Sequence, residues 1–223
     1  MEIFDTFFNV PVLIRSFPFL ISGLWVTLQI GVVSIIAGLV VGLALALVRL
    51  YGAVWLQVIA KAYINFMRSI PLLVLLIIIY YALPFVGIRL SPFLSAVAAL
   101  SLVSAAYTAE IFRAGIEAIA KGQFEASSAL GLSYRHMMVD VILPQAIRIV
   151  IPPLTNNCIN VMKDTALASV VAMPDLLKQA TQAQALAANP SPLIGAAIIY
   201  VAFLWPLVAA VSRLERSYSK ADR

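Results

Sequence analysis

The feature that most constrains this chain is a set of long intervals without a single Asp, Glu, Lys or Arg. Ser16–Val48 runs 33 residues without one, Ser69–Ile88 and Leu90–Ala109 run 20 each, Ile149–Met162 runs 14, and Gln179–Ser212 runs 34. An unpaired charge at mid-bilayer costs about 2.5–3.5 kcal/mol even on the lenient insertion scale. A helix rises about 1.5 Å per residue, so ~20 residues cross a ~30 Å hydrocarbon core. Four intervals are long enough to span. Ile149–Met162 spans if it extends towards Val139 and Val170, which brings in Asp140, Arg148, Lys163 and Asp164. The expected fold is an all-α polytopic membrane protein with about five transmembrane helices.

Composition agrees. Apolar residues make up 63% of the chain and charged residues 11%, with a mean hydropathy of +1.01. Soluble domains carry about 45–50% apolar and about 25% charged residues. A soluble enzyme, a disordered tail and a disulfide-stapled secreted module are therefore excluded. A single cysteine, Cys158, makes no internal disulfide, and with a single histidine, His136, it supports no His and thiolate metal site. The net charge of +5 would suggest nucleic acid in a soluble protein. In a bilayer protein it reports orientation, because Lys and Arg are retained on the cytoplasmic side.

With five spans and the N-terminus outside, Arg49, Lys61, Arg68, Arg113, Lys121, Arg135, Arg148, Arg213, Arg216, Lys220 and Arg223 fall inside. Arg15, Arg89, Lys163 and Lys178 fall outside. The bias places the N-terminus outside and the C-terminus in the cytoplasm. Glu2 and Asp5 near the start, and a first apolar run far longer than a signal core, speak against a cleavable signal. One domain over 16–216 is expected, followed by a basic cytoplasmic tail at 217–223 that can rest on anionic membrane lipid. No internal repeat is visible, and a chain of this size is too small for a carrier built from inverted repeats. It needs partners.

The longest polar stretch runs from Glu110 to Pro144. Glu110, Arg113, Glu117 and Lys121 are spaced three, four and four apart, so on a helix they share one charged stripe. Gly122 is a candidate stop. Beyond it, Glu125–Leu130 suits a short helix ended by Gly131, and Ser133 suits the cap of a second helix up to Pro144. On shape alone, an ordinary surface turn and a docking projection are equal readings.

The residues there carry a resemblance. Glu125-Ala126-Ser127, three residues, Gly131, nine residues, and Val141-Ile142-Leu143-Pro144 resemble the EAA loop of ATP-binding-cassette (ABC) importer permeases. Ser127 and Val141 are mild departures from that family's Ala and Ile. Flanking stretches resemble the branch for polar amino acids of the histidine, glutamine and glutamate type. They include Tyr107–Ile116, Leu143–Arg148, Lys163-Asp164-Thr165, Gly23–Leu28 and Arg68–Leu72.

That resemblance implies a permease in the bacterial cytoplasmic (inner) membrane that imports a polar amino acid by alternating access. Glu125, Ala126, Ser127, Gly131, Leu143 and Pro144 would form the short cytoplasmic coupling helices against the ATPase. The implied partners are two copies of an ATP-binding cassette subunit, a second permease subunit of the same or a sister kind, and a periplasmic or lipid-anchored amino acid binding protein. ATP would be bound by the cassette subunit, with no cofactor in this chain and no nucleic acid.

The fourth interval carries a polar stripe. Asn156, Asn160, Lys163 and Asp164 fall on one helical face, with Thr165 following. Such residues usually face a bundle interior or a water-filled path. Lys163 and Asp164 match the carboxylate and ammonium of a free amino acid. The competing reading puts Lys163 and Asp164 at the outer membrane edge and makes Asn156, Asn157 and Asn160 glue between helices. Arg68 reads as a cytoplasmic-edge anchor with an extended head.

The resemblance implies a transport subunit, and since no Gly-rich loop with a Walker-type Lys and Ser/Thr is present, one expected to lack its own ATPase site. The alternatives are an intramembrane lipid-modifying enzyme or a membrane scaffold. The first lacks His-Glu-x-x-His and Gly-x-Ser-x-Gly, and Cys158 has no His on its side. The second leaves the EAA spacing unexplained.

Overall fold

The computed structural model describes residues 6–221, with side chains described as far as Arg213. Glu2, Asp5 and the side chains of the basic tail at 217–223 lie outside the described residues. Within them all regular structure is helical. Four helical stretches are long and apolar enough to cross a membrane, and one bent pair makes a fifth.

Helix α1, Val10–Tyr51, opens on Asn9, whose side chain accepts the Val12 amide, with Pro11 in the first turn. Its buried face holds Gly23, Thr27, Gly31, Ser34, Gly38, Gly42 and Ala46, so small residues recur every third or fourth position. In lipid, such a face is what lets two backbones approach. A Cβ on Gly38 would stand 2.6 Å from Ser104 Oγ, and one on Gly23 would stand 2.8 Å from the Asp175 carbonyl.

After Gly52 come α2, Val54–Ser69, and α3, Leu72–Ile77, which continues through a π turn at Ile78–Ala82 and a 3-10 turn at Leu83–Val86. The axes of Val54–Ser69 and Leu72–Val86 differ by 102°. The expected straight second span over Ser69–Ile88 is therefore Leu72–Val86, entered by a sharp corner. The cause is Pro71. Its ring disfavours helical backbone in the preceding residue, and Ile70 is extended at φ −86° and ψ 132°. Tyr63 Oη donates to the Leu102 carbonyl and ties α2 to the next helix.

Helix α4, Pro92–Glu117, is capped by Ser91 and carries the third interval on into its charged stripe. It ends at Ala118, so Gly122 is not the stop. Gly122 lies inside α5, Lys121–Ala129.

The expected second short helix does not end at Pro144. Instead α6, Tyr134–His136, runs through a π turn at Met137–Ile142 into α7, Leu143–Asp164, and a 3-10 turn at Thr165–Val171. The result is one continuous span, Tyr134–Val171. In the π turn the Leu143 amide bonds to the Met138 carbonyl, five residues back. That register absorbs the donor Pro144 lacks, and the helix passes it without breaking.

The fifth interval is also divided. Helix α8, Leu176–Ala187, is separated from α9, Ser191–Ala221, by Ala188 at φ +46° and by Pro190. Only the part of that interval within Ser191–Arg213 is span-like. Helix α8 packs beside the N-terminal part of α1, where the Leu176 amide donates to Thr27 Oγ1.

Candidate functional site

Two arrangements stand out, one at the polar end of the bundle and one inside it. At the first, α5 and the π turn share a small apolar core of Ile119, Met137, Met138, Ile142 and Ala146, with Phe124 and Leu143 packed against it. This core seats the loop on the base of α7. Gln145 adds a bond from its amide to the Gln123 side chain at 3.3 Å.

Within the loop Glu125 and Ala126 are exposed, while Ser127 is 3% exposed. Ser127 Oγ donates to the Gln123 carbonyl at 2.7 Å, which satisfies its hydroxyl locally and explains why Ser fits where the pattern has Ala. Gly131 has φ +75°, the left-handed conformation that ends α5. Ser133 caps α6, its Oγ accepting the His136 amide at 3.4 Å. Leu143 is partly buried in the small core, and Pro144 is exposed in the first turn of α7. The projecting side bears Leu130 at 79% and Tyr134 at 59% exposure, a partly apolar surface around the turn.

The charged stripe lies just above. Glu110 pairs with Arg113, as spacing predicts, and Arg113 also pairs with Glu117. Arg49, in the last turn of α1, is a further partner of Glu110 that sequence spacing does not reveal. Glu117 and Lys121 form no ion pair among the described residues, because α4 has ended before α5 begins.

The second arrangement is a cavity of about 290 Å³ between three helices. Helix α3 supplies Leu72; α4 supplies Leu100, Val103, Ser104 and Tyr107; α7 supplies Asn157, Asn160, Val161, Lys163 and Asp164. Asp164 also lines a small neighbouring void together with Leu76 and Ala96. Leu100 is eight residues into α4, about 12 Å from its N-terminal end by helical rise. Lys163 is exposed and Asp164 partly buried in the last turn of α7, with the Thr165–Val171 turn beyond them.

Of the expected path residues, the structure brings Asn160, Lys163 and Asp164 to this cavity. Asn156 lies one turn back on α7, exposed and off the lining. Thr165 is fully buried, its hydroxyl donating to the Met162 carbonyl at 2.6 Å, and it does not reach the cavity. Its side chain points towards Gly31 of α1, the neighbour that a helical wheel cannot show. Asn157 is the glue residue: its amide donates to Ser104 Oγ and Thr108 Oγ1, both at 3.2 Å.

Arg68, expected as an edge anchor, is exposed in the last turn of α2. Its guanidinium stands over the ring of Tyr107, itself a lining residue. Ser104 and Tyr107 were missed because no charge or amide marks their α4 segment, although Ser101, Ser104 and Thr108 are spaced three and four apart on one face. Among the described residues no cluster of three or more His, Cys, Asp or Glu is placed to hold a metal ion.

Comparison with known proteins fits this geometry. The sequence profile of the binding-protein-dependent transport system inner membrane component family matches residues 38–220. The chain is 46% identical over 173 residues to the probable amino-acid ABC transporter permease protein YckA of Bacillus subtilis (strain 168), covering 78% of this chain and 76% of YckA. It is 41% identical over 214 residues to the arginine transport system permease protein ArtQ of the same organism, covering 94% and 96%. A chain from the crystal structure of an amino acid ABC transporter with histidines superposes with a TM-score of 0.87 at 36% identity, covering 92% of this chain and 96% of that one. The protein with this loop and cavity is a member of the binding-protein-dependent transport system inner membrane components, the membrane-spanning permeases of ABC importers.

Proposed function

We propose that this chain translocates a polar amino acid across the bacterial cytoplasmic membrane by alternating access. Two copies of an ATP-binding cassette subunit drive it, and a second permease subunit and a periplasmic or lipid-anchored binding protein complete the assembly. The N-terminus lies outside and the C-terminus in the cytoplasm. The observation that carries the reading is the unbroken helix from Tyr134 to Val171. One end of it shares a core with the exposed loop, and the other end walls the cavity.

In this mechanism the ATPase grips the loop at Glu125, Ala126 and the Gly131 turn. Ser127 and Leu143 hold the loop to its core, and Pro144 begins the rigid part of α7. A shift of the loop then moves Asn160, Lys163 and Asp164 with it, because a helix transmits displacement along its axis. At the cavity, Asp164 meets the substrate's ammonium and Lys163 its carboxylate, and their adjacency limits the cost of holding either charge away from water. Asn156, exposed on the same face one turn towards the loop, extends the path. Thr165 supports it from behind.

The names attached to the relatives make arginine, histidine and glutamine the first substrates to try, and the sequence resemblance adds glutamate. The test is purification of the tagged chain in mild detergent, followed by uptake of the four labelled amino acids in proteoliposomes supplied with the native binding protein. A near-stoichiometric ATPase in the complex and ATP-dependent uptake of one or more amino acids support the reading. Recovery of the folded chain alone, without an ATPase, overturns it in favour of an independent membrane enzyme or scaffold.

A further inference from the structure

Arg68 closes the last turn of α2, two residues before the corner at Ile70. Its Cζ lies 5.5 Å from the centroid of the Tyr107 ring. Tyr107 and Leu72, the latter just past the corner, both line the cavity. Along α4 the cavity runs from Leu100, beside Asp164, to Tyr107, about 10 Å by helical rise. Tyr107 therefore marks the end of the cavity that faces the loop, one helical turn from Glu110, and Arg68 stands exposed over its ring just outside the lining.

The neighbouring arginines are matched by carboxylates: Arg49 by Glu110, and Arg113 by Glu110 and Glu117. Arg68 has no ion pair among the described residues. Its partner is the face of a ring.

We propose that Arg68 is a second station for the substrate's carboxylate, at the loop end of the cavity. A ring face holds a guanidinium less strongly than a carboxylate that accepts two parallel N–H bonds. Tyr107 thus parks the fork beside the cavity, and an amino acid leaving Lys163 displaces the ring. The corner at Ile70–Pro71 lets the end of α2 move without disturbing α3. This inference rests on the amino acid reading above, and it adds a residue and an order of events: Lys163 first, Arg68 second.

The test is equilibrium binding to the purified permease–ATPase complex without binding protein. The probe is whichever of labelled L-arginine, L-histidine, L-glutamine and L-glutamate the wild type takes up. Arg68→Gln is expected to raise Kd about tenfold, and Arg68→Lys about threefold, because a point charge cannot reproduce the planar fork. Tyr107→Leu is expected to lower Kd about twofold, since the ring no longer competes.

An unchanged Kd for Arg68→Gln overturns the proposal. So does a Tyr107→Leu defect equal to that of Arg68→Gln, which would make the ring contact plain packing. If the Gln variant fails to assemble, an unchanged Kd for Arg68→Lys overturns it instead. Failure of the wild type to transport any of the four sinks the amino acid reading itself, an outcome distinct from an Arg68 effect.

Discussion

Gly131 is held in the left-handed region at φ +75°, where a non-glycine residue costs roughly 1–2 kcal/mol. A Cβ there meets nothing within 4 Å inside the chain. Space is thus no constraint until another protein covers the turn. Gly131→Asp is expected to leave insertion intact and to cut co-purification of the ATPase about tenfold or more, a loss of at least about 1.4 kcal/mol in docking. Quantifying both subunits in the purified complex decides it, and full recovery of the ATPase returns the loop to an ordinary turn.

Asp164→Asn keeps the shape and removes the charge. Uptake is expected to fall about tenfold with the ATPase ratio unchanged. Loss of assembly in place of uptake would assign Asp164 a structural part.

Both sites show what a sequence can carry at this scale. The loop around Gly131 is local, so its Gly131 turn and Ser133 cap are legible in the sequence. The cavity is shared by three helices. Helical spacing correctly groups Asn160 with Lys163 and Asp164 but says nothing of the neighbours that bury Thr165, recruit Asn157 to Ser104 and Thr108, or hold Arg68 over Tyr107.

Among the elements, α1 depends most on what is missing from its side chains. A Cβ on Gly38 would fall 2.6 Å from Ser104 Oγ and 2.8 Å from Ser104 Cβ. Those contacts belong to a helix that cannot retreat without opening the α1–α4 face. Gly38→Val is expected to destabilise the chain by about 1–3 kcal/mol, the usual cost of overpacking. A glycine in open space gives the contrast. Gly122 lies inside α5 with nothing within 4 Å of a Cβ, so Gly122→Ala is expected to be neutral or to stabilise by up to about 1 kcal/mol through helix propensity. Thermal midpoints of the two variants in detergent test the pair, and a Gly38→Val midpoint at or above wild type would refute the packing account.

The spans were legible as elements because exclusion of charge is additive along a helix. Their corners were not. Pro71 and Pro190 each stand at a break within a charge-free interval, whereas Pro144 lies inside a continuous helix because a π turn precedes it. A proline's effect depends on whether the backbone before it can shift register, and composition does not record that.

For the whole molecule, everything assigned to the loop requires that it face the compartment holding ATP. The charge distribution supports that orientation: Arg113, Lys121, Arg135 and Arg148 cluster at the loop end, and Arg89 lies at the opposite end of α4. The two ends can be labelled separately. Cys158 is the sole native cysteine and is half-buried, so a Cys158→Ser chain gives a clean background. On it, Ser91→Cys marks the start of α4, and Ser133→Cys marks the loop, at exposed positions. In right-side-out membrane vesicles a membrane-impermeant maleimide is expected to label Ser91→Cys at once and Ser133→Cys only after permeabilisation. The reverse pattern would put Glu125 and Gly131 on the side without ATP. No contact made at that loop could then drive the cavity, however well the helix from Tyr134 to Val171 joined them.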